Sequence, residues 1–281
     1  MKQLVLLFLL ATALFSCKKD EDENLSVKAC FGTTIDKIND GIVQFTNCSE
    51  NAKNYLWDFG DGKTSTEFEP KHVYSTIPVN ATLIAFNGDK SDTIVKPIYT
   101  EITVYKPNIY IYPLIKLRLS VQLSFPLGGN IVESIPEYVT GWDVNVDTNG
   151  EINNLYDYLF YESKQPNLFQ YEKGWCISRE NLKAFFEDNM ARYNFSVSEI
   201  KDFTDYWMPL LTEYKYYCIY PQTNEIIDKI IQLNFSVKPD HTHRLFYGIV
   251  GVDELKTLTK PLIEPFDRSG FYVVEWGVFR K

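Results

Sequence analysis

Acidic residues beside apolar or aromatic segments are the first candidates for chemistry in this sequence. Glu275 interrupts the apolar segment 271–276, Glu162 follows an aromatic run, and Asp253 follows another apolar segment. Two carboxyl groups held about 5–9.5 Å apart can hydrolyse a glycosidic bond. These three residues are therefore candidates for a hydrolase site, although the solvent face of a strand explains Glu275 more simply.

Two segments have the spacing of metal ligands. The segment 145–150, Asn-Val-Asp-Thr-Asn-Gly, follows the start of a calcium loop, but Tyr156 stands where that loop requires a bidentate Glu. His241 and His243 would share one face of an extended strand, and two imidazoles with a carboxylate can bind zinc. Because Pro239 marks a turn and no second His pair occurs, we predict no metal and no other cofactor.

Aromatic residues are densest at Tyr156, Tyr158, Phe160 and Tyr161. Exposed rings of this kind can stack on sugars, whereas packing in a core is the ordinary role of such a stripe. Nucleophile elbows, phosphate-binding loops and dinucleotide fingerprints are missing from the sequence. The motifs therefore identify no catalytic residue, and they leave both a binding protein and a hydrolase open.

Overall charge excludes one class of partner. The 281 residues carry 28 Lys and Arg against 37 Asp and Glu, a net charge of −9. Without a basic excess to neutralise phosphates, we expect no nucleic-acid binding. The 19 Tyr and 19 Phe favour a strand-rich structure.

The N-terminus has the pattern of an export signal. Residues 1–16 combine Lys2 with an apolar run that is too short to cross a membrane comfortably. Ser16 and Cys17 follow, and this junction resembles the lipobox of bacterial lipoproteins. The resemblance implies cleavage before Cys17 and acylation of its thiol and its new amine, which together form a stable lipid anchor.

Residues 17–24 predict an acidic tether, since Lys18 and Lys19 precede four acidic residues. This stretch resembles the short Lys-then-acidic signal that sends lipoproteins of the Bacteroidota to the outer cell surface. We therefore expect a protein anchored by lipid in a bacterial outer membrane and exposed at the cell surface.

Four cysteines remain after Cys17, namely Cys30, Cys48, Cys176 and Cys218. An even number in an exported chain is typical of disulfides, and four cysteines allow three connectivities. Locality favours Cys30–Cys48, and Cys176–Cys218 can pair if their strands adjoin. Two buried thiols are the alternative for the first pair.

Residues 25–104 predict a domain of short strands. Tyr55, Trp57 and Phe59 alternate onto one face, and the turn that follows contains Asp58 and Asp61, which can accept backbone N–H bonds or bind calcium. The segment 57–62, Trp-Asp-Phe-Gly-Asp-Gly, closely resembles the hallmark of the PKD family. The resemblance implies an all-β immunoglobulin-like sandwich that serves as a spacer or contact module, in which a bridge like Cys30–Cys48 recurs.

Residues 105–281 predict an α+β domain with antiparallel sheet and two helices. Residues 142–146 alternate strictly between apolar and polar positions, as a strand with one buried face does. Ser178 is placed to begin one helix, and Ser196 with Glu199 forms a capping box for the next, which Pro209 ends.

Several segments of this domain resemble an uncharacterised bacterial family that lends no catalytic residues. They are 106–113, Gly141-Trp142, 158–162, 206–209 and 274–277. We therefore predict a lipid-anchored envelope protein whose PKD module presents a C-terminal binding domain for a glycan, a peptide or an envelope partner. A surface hydrolase with its site in the C-terminal domain is the alternative.

Overall fold

The computed structural model describes residues 25–35, 42–74 and 79–281. The predicted signal peptide, the tether and Cys17 lie outside the described residues. The chain divides between Ile98 and Tyr99 into two compact units, whereas the sequence placed the division after Val104. The described residues are mostly strand, with three short α-helices.

The first unit contains two sheets that share one core. One sheet has the strand order β1-β2-β5 and the other β4-β3-β6-β7. Phe31 and Phe45 from the first sheet pack against Trp57 and Leu83 from the second. The strands are β1 Phe31–Ile35, β2 Ile42–Asn47, β3 Asn54–Asp58, β4 Thr64–Ser65, β5 Lys71–Val73, β6 Val79–Asn87 and β7 Lys90–Ile98.

The turn after β3 is closed by its acidic residues, as the sequence predicted. Asp58 accepts the backbone N–H of Gly60 at 2.9 Å, and Asp61 accepts that of Lys63 at 3.2 Å. The second carboxylate oxygen of Asp61 lies 2.9 Å from Nε2 of His72. The sulfur atoms of Cys30 and Cys48 lie at disulfide distance in the same unit.

The second unit is built on a seven-stranded sheet, in the order β10-β12-β8-β17-β16-β14-β13. Only β16 and β17 pair in parallel within it. Its strands are β8 Glu101–Tyr112, β10 Asn130–Ile135, β12 Leu159–Pro166, β13 Trp175–Ser178, β14 Tyr216–Thr223, β16 His241–Val252 and β17 Tyr272–Arg280.

Two layers cover this sheet. Helices α1 Leu182–Arg192 and α2 Val197–Trp207 pack on one face, which we call the helix face, through Phe186, Phe203 and Trp207. A three-stranded sheet and α3 Asn224–Ile230 pack on the opposite face, which we call the small-sheet face. The small sheet has the order β11-β9-β15, with β9 Leu117–Ser124, β11 Trp142–Val146 and β15 Gln232–Phe235.

Local sequence signals explain the helix boundaries. Ser196 accepts the backbone N–H of Glu199, and the Glu199 carboxylate accepts the backbone N–H of Ser196, so the predicted capping box is present. Pro209 lies in a short 3-10 helix, Met208–Leu210, that ends α2. Residues 179–181 form another 3-10 helix before α1, and the Ser178 side chain does not cap it. The described residues contain a third helix, α3, in addition to the two predicted ones, and the sequence does not predict it.

Candidate functional site

The carboxylates proposed for a hydrolase do not converge. Glu275 is fully buried and bonds Tyr161 and Arg244, which places it on the small-sheet face. Glu162 lies on the helix face, and Asp253 is an exposed residue that follows the end of β16. The sequence alone could not show that these carboxylates are apart. Alternate side chains of a strand lie on opposite faces, and the sequence does not show which face of the sheet each residue occupies.

The predicted metal-ligand segments are engaged in other contacts. Asp147 pairs with Lys116 at 2.8 Å and Asp143 pairs with Arg118, so this polar face bonds the neighbouring strand. His241 lies 3.4 Å from Asp267, while His243 is stacked on Phe266. Among the described residues, no group of three or more His, Cys, Asp or Glu side chains could hold a metal ion.

The aromatic run at 156–161 is divided between the two faces of the sheet. Tyr161 is fully buried on the small-sheet face, where Tyr156 is half-buried. Tyr158 and Phe160 lie on the helix face, beside α2. The four rings therefore do not form a sugar-stacking strip, and packing accounts for most of their surface.

A β-bulge in β8 creates an unusual environment for Lys106. Asn108 pairs with Phe160 and Val104 pairs with Ser163, so β8 carries one residue more than its partner strand β12 across this interval. Lys106 takes a positive φ of 55° there, which is rare for a residue with a side chain. A bulge also accommodates Pro107, since proline lacks the N–H that a regular ladder needs.

Three aromatic rings surround the Lys106 ammonium, and we call this group the lysine cage. Its Nζ lies 4.3 Å from the ring centre of Phe160, 5.3 Å from that of Tyr158 and 5.4 Å from that of Tyr206. No hydrogen bond or ion pair joins this Nζ to another group in the described part of the chain. The ammonium is therefore held by ring faces and not by a salt bridge.

Burial shifts the pKa of the cage lysine and of two carboxyl groups beside the cage. Burial lowers the pKa of Lys106, and Glu162 and Asp202 offset part of that effect. Burial, and next the nearby Glu133, raise the pKa of Glu162. Burial also raises the pKa of Asp202, although the Tyr110 hydroxyl donates a hydrogen bond to it at 2.9 Å. Groups with such shifts often mark functional sites.

A cleft of about 300 Å³ opens next to the cage, and we call it the tyrosine cleft. Tyr105, which precedes Lys106, forms part of its wall. The cleft is lined by Tyr105, Leu210, Glu213, Tyr214, Tyr217 and Arg280, among others. It therefore combines aromatic rings with basic and acidic side chains, and four of its lining residues, 210, 211, 213 and 214, lie in the segment between α2 and β14.

The geometry of the cleft depends on one glycine. A Cβ at Gly251 would lie 2.0 Å from Cδ2 of Tyr214, so only glycine lets this ring lie against the strand. The hydroxyl of Tyr217 accepts the backbone N–H of Tyr214 at 3.1 Å, which holds the loop over β14. Two other lining residues, Arg280 and Tyr105, are also close together, since the Arg280 guanidinium lies 5.9 Å from the ring centre of Tyr105.

Neither the lysine cage nor the tyrosine cleft is predicted by the sequence. The cage residues lie in segments that resemble an uncharacterised bacterial family, but that resemblance indicates no site. They are Lys106, Tyr158, Phe160 and Tyr206. A proline inside a strand was the available signal for the bulge, because it predicts irregular pairing. The cleft had no comparable signal, since Tyr105, Tyr214 and Arg280 are far apart along the chain.

Comparisons with solved structures cover only about a quarter of the chain. No family model matches the chain, and no curated protein matches it. Among solved structures, the PKD1 domain of Vibrio anguillarum Epp is 24% identical, with a TM-score of 0.25, and the match covers 27% of this chain and 94% of that one. The PKD1 domain from the Vibrio cholerae metalloprotease PrtV is 31% identical, with a TM-score of 0.24, over 26% of this chain and 95% of that one. The structural neighbours are thus PKD domains of bacterial proteins.

Proposed function

We propose that this protein is a lipid-anchored binding protein of the bacterial cell envelope. The first unit, residues 25–98, would form an immunoglobulin-like PKD sandwich, followed by an α+β domain of the uncharacterised bacterial family that the sequence resembles. Cys17 supports the anchor, because it follows an apolar export segment and a small residue. No helix among residues 25–35, 42–74 and 79–281 is long and apolar enough to cross a membrane.

The tyrosine cleft carries the proposal that the second domain binds a glycan. Tyrosine rings offer an apolar face for the C–H surface of a sugar and a hydroxyl for its polar edge. Arg280 and Glu213 add a hydrogen-bond donor and an acceptor to the lining of the same cleft. A pocket with a few polar groups among aromatic side chains is the ordinary form of a small-ligand site.

Binding can be tested on the full chain in detergent micelles. We expect it to bind a subset of an array of bacterial and plant oligosaccharides, and expect Tyr214→Ala and Arg280→Ala each to weaken that binding about tenfold or more. Tyr216→Ala is the matched control, because Tyr216 is near Tyr214 in the chain but does not line the cleft. Binding of peptides alone, or equal binding by all three variants, would contradict the assignment.

The membrane anchor needs a separate test. In cells that make the Cys17→Ala chain, no thiol remains at the processing site, so the lipid cannot be attached. We expect the wild-type protein in the outer-membrane fraction and accessible to protease on intact cells, with the variant lost from that fraction. Unchanged membrane retention of the variant would show that Cys17 does not anchor the protein.

Hydrolysis is the second candidate function, and the raised pKa of Glu162 is the observation that favours it. A raised pKa lets a carboxyl group keep its proton at a higher pH than a free Glu does, which is the direction that a general acid requires. Incubation of the full chain with oligosaccharides that it binds would show whether it releases reducing ends. Release by the wild type that is lost in Glu162→Gln, with binding retained, would favour the hydrolase over the binding protein.

A further inference from the structure

Cys176 and Cys218 lie directly opposite each other on adjacent strands. They are paired residues of the antiparallel strands β13 and β14, and their sulfur atoms are 2.8 Å apart. Opposed residues of such a ladder have Cα atoms about 4.5–5.5 Å apart. That separation falls in the range that a disulfide spans. The two sulfurs can therefore be joined without moving the backbone.

We propose that Cys176 and Cys218 form a second disulfide in the exported protein. The bond would fasten the edge of the seven-stranded sheet, since β13 is the last strand of that sheet within the described residues and pairs there with β14. β13 also leads directly into the 3-10 helix before α1, and Trp175 of β13 packs against Phe185 of α1. The same bond would thus hold the start of the helical layer on the sheet.

Formation of the bond requires an oxidant that accepts two electrons from the two thiols. The disulfide of an exported thiol oxidase supplies one. The thiolate of Cys176 attacks one sulfur of that disulfide and expels the other as a thiolate. Cys218 loses its proton to solvent and attacks the Cys176 sulfur, which expels the second oxidant sulfur. Two protein thiols are oxidised and one oxidant disulfide is reduced to two thiols. Cys176 is the sulfur that an oxidant can reach, because it is half-buried while Cys218 is buried.

Burial should also make the bond resistant to reduction. Burial, and next the neighbouring Cys176, raise the pKa of the Cys218 thiol to about 12. A reductant that attacks Cys176 must expel Cys218 as a thiolate, and a thiol with a high pKa leaves slowly. Cys48 is exposed, so the Cys30–Cys48 bond provides a reachable comparison in the same molecule.

The test uses full-chain protein from the envelope fraction, denatured in N-ethylmaleimide without reductant and digested with trypsin. Cleavage gives peptide 174–179 with Cys176 and peptide 216–229 with Cys218. We expect these two peptides joined and unalkylated in the mass spectrum. In native protein treated briefly with dithiothreitol before alkylation, we expect Cys30 and Cys48 to be alkylated at least ten times faster than Cys176 and Cys218.

Two variants make the outcome unambiguous. In Cys176→Ser, Cys218 should become fully alkylated, and in Cys218→Ser the same should hold for Cys176, with the Cys30–Cys48 bond intact in both. Recovery of separate, alkylated peptides 174–179 and 216–229 from the wild-type envelope protein would overturn the proposal, whatever the state of Cys30 and Cys48. Pairing of either residue with Cys30 or Cys48 would overturn it as well.

Discussion

Arg244 and Glu275 form an ion pair in which neither side chain has any exposed surface. They are neighbours on the parallel strands β16 and β17, with Nε of Arg244 2.5 Å from Oε2 of Glu275. The Tyr161 hydroxyl donates to Oε1 of Glu275 at 2.8 Å, and Nη1 of Arg244 donates to Asp228 of α3 at 2.8 Å. The pair therefore connects three strands and one helix on the small-sheet face.

Removal of one partner from this pair should be costly. In Glu275→Gln the buried guanidinium of Arg244 loses its buried counterion and keeps only the half-exposed Asp228. We therefore expect the free energy of unfolding of the second unit to fall by about 3 kcal/mol. Urea denaturation followed by tryptophan fluorescence measures this, since four of the five tryptophans lie in that unit. We expect a separate transition for each unit.

The control for this prediction removes both charges. Arg244→Met combined with Glu275→Gln should recover much of the lost stability, because no unpaired charge then remains buried. Lys183→Ala, which breaks an exposed pair with Glu187 on α1, should leave the transition unchanged. A double variant as unstable as Glu275→Gln alone would show that shape, and not charge, determines the stability at this position.

A second prediction concerns acid sensitivity at the start of α2. Burial alone would raise the pKa of Glu199, but Arg268 bonds both of its oxygens, at 2.8 and 2.9 Å, and Tyr112 donates at 2.8 Å, so its pKa is lowered. A carboxylate with a lowered pKa in the folded state stabilises the fold above the pKa it has when unfolded. That contribution disappears as the pH falls through the folded-state value.

Glu199→Gln should therefore flatten the acid side of the stability curve. At pH 7 we expect the variant to be about 2 kcal/mol less stable than the wild type, because charge-assisted bonds are lost. The difference should shrink as the pH falls from about 4.5, the usual range of a free Glu, through the lower folded-state pKa. Denaturation of both proteins across pH 3–7 measures it, and a difference that stays constant with pH would contradict the assignment.

Glu199 also shows what the sequence could and could not predict. Its role in the capping box follows from four adjacent residues, and the structure confirms it. Arg268 lies 69 residues away in the chain, so only the fold shows that it binds the same carboxylate. Signals that depend on neighbours along the chain, such as the alternation in β11 or the Asp58 turn, were predictable from the sequence.

Features that depend on pairing between distant strands were not predictable. The sequence predicts a domain boundary after Val104, yet β8 continues from Glu101 to Tyr112 through a bulge at Lys106 and Pro107. The proline is visible in the sequence, but the pairing of β8 with its partner strands, which accommodates the extra residue, is not. The tyrosine cleft, similarly, is assembled from β8, β17 and the segment after α2.

A third prediction concerns His72 in the first unit. Its ring is stacked on Phe59, with ring centres 4.0 Å apart, while Nε2 bonds Asp61. His72→Leu keeps apolar volume but leaves Asp61 without this partner. We therefore expect the free energy of unfolding of the first unit to fall by about 1–2 kcal/mol. Thermal denaturation measures it, with Lys71→Ala, an exposed neighbour, as the control. Equal melting temperatures of His72→Leu and Lys71→Ala would show that the bond between His72 and Asp61 does not stabilise the first unit.

The lysine cage yields a prediction about charge. Burial lowers the pKa of Lys106, whereas the carboxylate of Glu162 raises it more than Glu133 does. Removing the Glu162 charge therefore takes away support for the ammonium, and the lysine pKa should fall further in Glu162→Gln.

Glu133→Gln is the matched control for this effect. Because Glu133 is a weaker influence on Lys106 than Glu162 is, its replacement should lower the Lys106 pKa less. The same change should also lower the pKa of Glu162, since the like charge that raises it is gone. Titration of selectively labelled lysine by NMR measures the first effect and titration of labelled glutamate the second. If the Lys106 pKa is unchanged in both variants, the carboxylates do not influence this amine. The negative faces of the three rings would then determine whether it keeps its proton.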